Sequence, residues 1–131
     1  MKFLIDYSIS SNVVSRMNRY QQRAMDMLSS KEARRAFAIE QEDDLLRDSY
    51  GRNRFGQSVL LARRMVESGV RLVQVNWTRW EHDTSAAPAW DNHARNEARL
   101  KKDLMPQMDA AYSTLINDLK QRGLLEDTLV L

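Results

Sequence analysis

The sequence predicts a helix-rich α/β chain carrying one βαβ unit in its C-terminal half. Three observations lead there. Apolar residues recur at three- and four-residue steps over most of the chain, the period of a helix with one buried face. The run Val70-Arg71-Leu72-Val73-Gln74-Val75-Asn76-Trp77 is largely apolar and follows directly on Gly69, and reads as a strand. A second β-prone run, Thr128-Leu129-Val130-Leu131, follows a long helical pattern.

The first helix is expected from about Asn12 to Leu28, with Val13, Met17, Tyr20, Ala24 and Met27 on one stripe and Arg16, Arg19, Gln22 and Arg23 opposite. Ser29-Ser30-Lys31-Glu32 has the spacing of a capping box, so a short second helix should begin there and run to about Phe37. A third is expected from Glu42 to Tyr50, stopped by Gly51. Phe55, Val59, Ala62, Met65 and Val66 then mark a helix from Arg54 to Ser68, with Gly69 as its left-handed cap.

A long helix should run from about Asn92 to Arg122, its stripe Leu100, Leu104, Met108, Ala111, Leu115 and Leu119, closed by Gly123. Pro106 lies within it. Proline removes a helical hydrogen bond and crowds the preceding turn, so a kink or a short break is expected near Asp103–Met105, the unbroken phase of the stripe favouring the kink. Strands at about 70–77 and 128–131 flanking this helix would form a parallel pair with a right-handed crossover. Two short parallel strands do not make a stable sheet alone, which suggests a single incomplete domain: a helical segment over 1–69 and the βαβ unit over 70–131. Its open sheet edge is a candidate surface for self-association.

Composition narrows the possible functions. The chain has 131 residues, 43% hydrophobic and 29% charged, an ordinary globular balance. A net charge of +2 gives no argument for nucleic acid or an anionic membrane. The absence of cysteine excludes disulfides and thiolate metal sites. No stretch approaches the ~20 apolar residues of a membrane span, and no secretory signal is recognisable. A cytoplasmic location is the default expectation, although a segment upstream of Met1 could carry an export signal.

Metal-ligand chemistry clusters in Glu81, His82, Asp83, Asp91 and His93. Carboxylate and imidazole are usual donors to zinc, manganese or iron. Asp91 and His93 are two apart, so they share a side only on extended or bent backbone; a helix would splay them. The alternative is that Asp91 or Asn92 caps the long helix and His93 is a surface residue. Glu81-His82-Asp83, near Ser85 and Pro88, reads equally as a solvated loop. Gly51-Arg52-Asn53-Arg54-Phe55-Gly56-Gln57-Ser58 has a superficial likeness to a phosphate-binding loop, but Gln57 stands in place of the lysine and no strand precedes it.

Several of these stretches together resemble the family called domain of unknown function 1501. They are Tyr50 to Ser58, Leu61-Ala62-Arg63-Arg64, Glu67 to Arg71, Val73 to Trp77, Trp90-Asp91-Asn92-His93 with Asn96, Asp118-Leu119, and Arg122 to Val130. The likeness runs from about Tyr20 to the end. It implies membership of the alkaline-phosphatase-like superfamily, with sulfatases among its members, and a three-layer α/β sandwich holding metal at strand ends. On that resemblance Asp91 and His93 are the candidate metal ligands, and Asp109 matches a recurrent helix aspartate with a structural role. Ala94 stands where many relatives carry glycine. The resemblance also implies that other ligands and the nucleophile lie upstream of Met1 and downstream of Leu131, so that this chain is an internal, inactive fragment. The parent would then be a metal-dependent hydrolase or transferase acting on small phosphate or sulfate esters. Its divalent cation could be zinc, manganese or calcium, with none expected on the fragment. The rival expectation is a non-catalytic helical scaffold or protein-interaction module.

Overall fold

The computed structural model describes residues 18–22, 25–26, 30–77, 90 and 96–131. Chain packing divides it into two compact units, Met1–Arg35 and Ala36–Leu131. Helices make up 73% of the described residues, and no strand occurs among them.

In the first unit residues 18–22 and 25–26 are helical, within the helix expected from the apolar stripe. Tyr20, assigned to that stripe, is nonetheless exposed. Helix α1 spans Lys31–Phe37. Its N-terminal cap is Ser30, whose Oγ accepts from the Ala33 amide at 3.0 Å. The cap therefore falls one residue later than the S-x-x-E spacing of Ser29 and Glu32 predicts, and the third helical residue is Ala33.

The second unit is built on α2 (Asp44–Tyr50), α3 (Arg54–Glu67) and α5 (Met105–Gln121), with a short α4 (Asn96–Arg99) leading into α5. Asp43 caps α2 by accepting from the amides of Leu45 and Leu46 at 2.9 and 3.3 Å. Asn53 caps α3, its Oδ1 accepting from the Gly56 amide at 2.9 Å. Helices α3 and α5 end alike. Gly69 and Gly123 take φ of 90° and 69°, and the next residue's amide reaches back five positions, Val70 to the Met65 carbonyl and Leu124 to that of Leu119. This is the left-handed glycine cap expected at both sites.

Between α4 and α5 the helix widens into a π-helical turn over Leu100–Leu104, with the Met105 amide bonded to the Leu100 carbonyl. Pro106 is the cause: it brings no amide and its ring crowds the preceding turn, so the chain inserts a wider turn just before it. The Gln107 side chain donates to the Asp103 carbonyl at 2.9 Å, satisfying an acceptor on that turn. The helix is distorted where expected but not interrupted.

Tyr50, Val59, Leu60 and Ala111 form the buried cluster, with Leu46, Phe55, Val75 and Leu115 packed around it. The Thr114 hydroxyl adds a tie from α5 to the Ser49 carbonyl at 2.8 Å. The buried face of α3 carries Gly56, Val59, Leu60 and Arg63. Of the stripe Phe55, Val59, Ala62, Met65 and Val66 read from apolar spacing, Val59 is buried and Phe55 packs on the cluster, while Ala62, Met65 and Val66 are only half-buried. On α5 Ala111 and Leu119 are buried as expected, whereas Met108 faces outward.

The expected α/β architecture is overturned. Residues 70–77 and 128–131, predicted as parallel strands of a βαβ unit in an alkaline-phosphatase-like three-layer sandwich, hold no regular secondary structure. A strand exists only through a neighbour's ladder of hydrogen bonds, and none of the described residues supplies one. Val75 instead packs on the helical core, while Leu72, Leu129 and Leu131 are exposed. The sheet edge expected to drive self-association is likewise absent among the described residues. None of the described helices is long and apolar enough to cross a membrane.

Candidate functional site

The densest chemistry in the described residues is a buried charge network between α2, α3 and α5. Arg63, only 1% exposed, points from the buried face of α3 toward Asp118 on α5, itself 5% exposed. Its Nη1 donates to Glu67 Oε2 at 2.5 Å. Its Nε and Nη2 lie 2.8 Å from Asp118 Oδ2 and Glu42 Oε1. These last two contacts lie off the hydrogen-bonding axes, so they act as ion pairs rather than aligned hydrogen bonds. Asp118 also accepts from the Tyr50 hydroxyl at 2.9 Å and from Arg122 Nε at 2.6 Å. Arg122 Nη1 reaches Glu67 at 2.7 Å, and Arg64 pairs with Glu42. Three arginines thus face three carboxylates, and charge is balanced inside the network.

The electrostatics follow from this packing. Burial pushes the Tyr50 phenol well above its ordinary value, and the Asp118 carboxylate that accepts its proton adds to the rise. Burial alone would raise the Glu42 carboxyl, but the close guanidinium groups of Arg63 and Arg64 outweigh it and hold it below the ordinary carboxylate value. A depressed folded-state pKa contributes stability above the unfolded value of ~4.3 and loses it as pH falls through the folded value. The stability gap between the native chain and Glu42→Gln should therefore be constant near neutrality and shrink below pH ~4.3. Urea denaturation across pH measures it; a gap that widens on acidification would contradict the pairing.

The Gly51–Ser58 motif serves structure. Arg52 is held by Asp44 and Asp48 at 2.6 and 2.5 Å. The Gln57 amide donates to the carbonyls of Arg47 and Gly51 at 3.0 and 2.9 Å, and its oxygen accepts from Arg47 Nε at 3.1 Å. The Gly56 amide is taken by Asn53, so the groups a phosphate would need are already engaged.

The predicted ligands Asp91 and His93 lie outside the described residues, as do Glu81, His82 and Asp83. Among the described residues no group of three or more histidines or carboxylates could hold a metal. Asp109 is on the exposed side of α5, where its backbone carbonyl accepts from the Ser113 hydroxyl at 2.6 Å. Trp90, next in the chain to Asp91, meets Trp77 edge-on with ring centres 5.3 Å apart. Trp77 in turn stacks on Phe55 of α3 at 4.2 Å and 22°. This aromatic trio links Trp77 and, through it, Trp90 to α3, each contact adding ~0.5–1.5 kcal/mol beyond area burial.

Sequence reasoning did not find the buried network. Its signal was present in the i,i+4 pairs Arg63/Glu67 and Asp118/Arg122, which look like ordinary surface pairs until Tyr50 and Glu42 are seen to enclose them. No curated protein and no solved structure matches the chain. A family model described as a protein of unknown function, DUF1501, matches residues 1–131, beyond the Tyr20-to-end span on which the motifs were recognised. Several of those motifs, those within 50–71 and 118–130, include the glycine caps, the Asn53 and Gln57 contacts and members of the ion network just described, and the chain belongs to the DUF1501 family.

Proposed function

We propose that this chain contributes metal ligands to a hydrolase or transferase acting on phosphate or sulfate esters, in line with its motifs' resemblance to alkaline-phosphatase-like and sulfatase-like proteins. The supporting observation is the Phe55–Trp77–Trp90 trio, which fixes the residue adjoining Asp91 to α3. The donor chemistry fits: Asp91 offers an anionic oxygen and His93 a neutral imidazole nitrogen, the donor types of zinc and manganese sites. A divalent cation bound there supplies a Lewis acid to the ester oxygens. Two donors leave coordination positions for groups other than Asp91 and His93, and the nucleophile is not assigned to this chain.

The test is metal content by mass spectrometry of the full-length hydrolase or transferase that carries this chain, after equilibration with zinc, manganese or calcium, beside phosphatase and sulfatase assays. Asp91→Ala and His93→Ala should each lower metal affinity by about tenfold or more. Equal metal in the native chain and both variants would sink the assignment.

A second reading, a non-catalytic helical scaffold, has its own supporting observation. Arg63, Asp118 and Glu42 are occupied with one another and with Tyr50, Glu67 and Arg122, as expected of groups that hold helices together. Under that reading Asp91 or Asn92 caps the following helix, and both alanine variants lose stability without any change in metal binding.

A further inference from the structure

The Glu42 carboxylate lies among three guanidinium groups. Arg63 Nη2 is 2.8 Å from Oε1, Arg64 Nη1 pairs with the same oxygen, and Arg122 Nη2 is 3.7 Å from Oε2. The arginines belong to α3 and the end of α5, and two of them are held from the other side without help from Glu42. Arg63 is braced by Asp118 and Glu67 at 2.8 and 2.5 Å, and Arg122 by the same two acids at 2.6 and 2.7 Å. Without Glu42, three arginines would face only two carboxylates around a guanidinium that is 1% exposed, leaving a positive charge shielded from water.

Glu42 itself is attached differently. It sits on non-helical backbone, between a 3-10 turn at Ile39–Gln41 and the Asp43 cap, and its amide bonds only to the nearby Ile39 carbonyl, at 3.2 Å. Arg64 fastens both ends of this stretch to α3, through Nε to the Ala36 carbonyl at 2.9 Å and through Nη1 to Glu42. The cradle belongs to the helical core, and its occupant belongs to a connecting segment.

We propose that Ala38–Glu42, the segment that follows α1, is a displaceable strap, and that the cradle of Arg63, Arg64 and Arg122 which Glu42 fills is a binding site for a small carboxylate. The three guanidinium groups complement a carboxylate in charge, and the sheltered setting of Arg63 strengthens that attraction. An incoming carboxylate restores the charge balance that Glu42 provides, so exchange needs no rearrangement of α3 or α5.

Two measurements test this. Amide hydrogen exchange on the native chain should show residues 38–42 opening at least ~100-fold more often than the centres of α3 and α5. In Glu42→Ala, sodium acetate should raise the melting midpoint by at least ~3 °C over sodium chloride of equal ionic strength. Glu42→Gln, whose amide still fills the cradle, should gain nothing from acetate beyond chloride. Exchange of 38–42 at the rate of α3 would overturn the strap. A Glu42→Ala protein that responds equally to both salts, or stays unfolded in both, would overturn the carboxylate site.

Discussion

Gly56→Ala should destabilise the second unit by about 3 kcal/mol or more, a large effect for a single methyl group. A Cβ at Gly56 would lie 2.0 Å from the Tyr50 carbonyl oxygen and 2.6 Å from that of Gly51. Both obstacles are backbone, and neither can retreat cheaply. The Tyr50 side chain is fully buried with its hydroxyl on Asp118, and the Gly51 carbonyl is held by the Gln57 amide at 2.9 Å. Relief would require α3 to move off α2, opening the cluster of Tyr50, Val59, Leu60 and Ala111. Gly69→Ala is the matched control. Nothing lies within 4 Å of its added Cβ, so it bears only the strain of φ 90°, about 1–2 kcal/mol. Urea denaturation of the two variants separates close packing from backbone strain. Should Gly69→Ala prove the costlier change, the close approach at Gly56 would be refuted.

Arg63→Ala should cost about 3–5 kcal/mol, because it removes the cation facing three carboxylates in the least exposed part of the network. Asp118 would keep Arg122 and the Tyr50 hydroxyl, and Glu42 would keep Arg64, but both acids lose the guanidinium 2.8 Å away. Arg63→Lys should recover little of the loss. A single ammonium cannot reach Glu42, Glu67 and Asp118 at once, as the planar fork does. Thermal and urea unfolding of the two variants provide the check. If Arg63→Ala fell within about 1 kcal/mol of the native chain, the network would be a dispensable ornament of the surface.

How far the chain could be read in advance follows from the range of each interaction. The caps at Gly69 and Gly123 were recognisable because their bonds close within six residues, as Val70 to Met65 and Leu124 to Leu119 show. The distortion before Pro106 was recognisable for the same reason. Short-range reasoning erred by one residue at Ser30, where two adjacent serines offered competing caps. It erred on the faces of α3 because an arginine at position 63 does not look like a core residue. Charge on a helix is ordinarily solvated, and only the Glu42 and Asp118 carboxylates make its burial tolerable. The candidate ligands Asp91 and His93 were named from residue type and family resemblance, and they lie outside the residues whose geometry is described.

The amino-acid sequence alone established where α2 and α3 begin and stop and where α5 ends, to within a few residues, together with the motifs that mark the family; the 3-10 turns and the π-helical turn were not read from it. Each depends on neighbours along the chain. Tertiary structure decided which face of α3 is buried, that Tyr50 meets Asp118 across 68 positions, and that residues 70–77 pack by Val75 and Trp77 against helices rather than in a sheet. The physical reason is partnership at a distance. A strand or a buried charge is stable only beside a complementary group, and that group is supplied by a remote part of the chain.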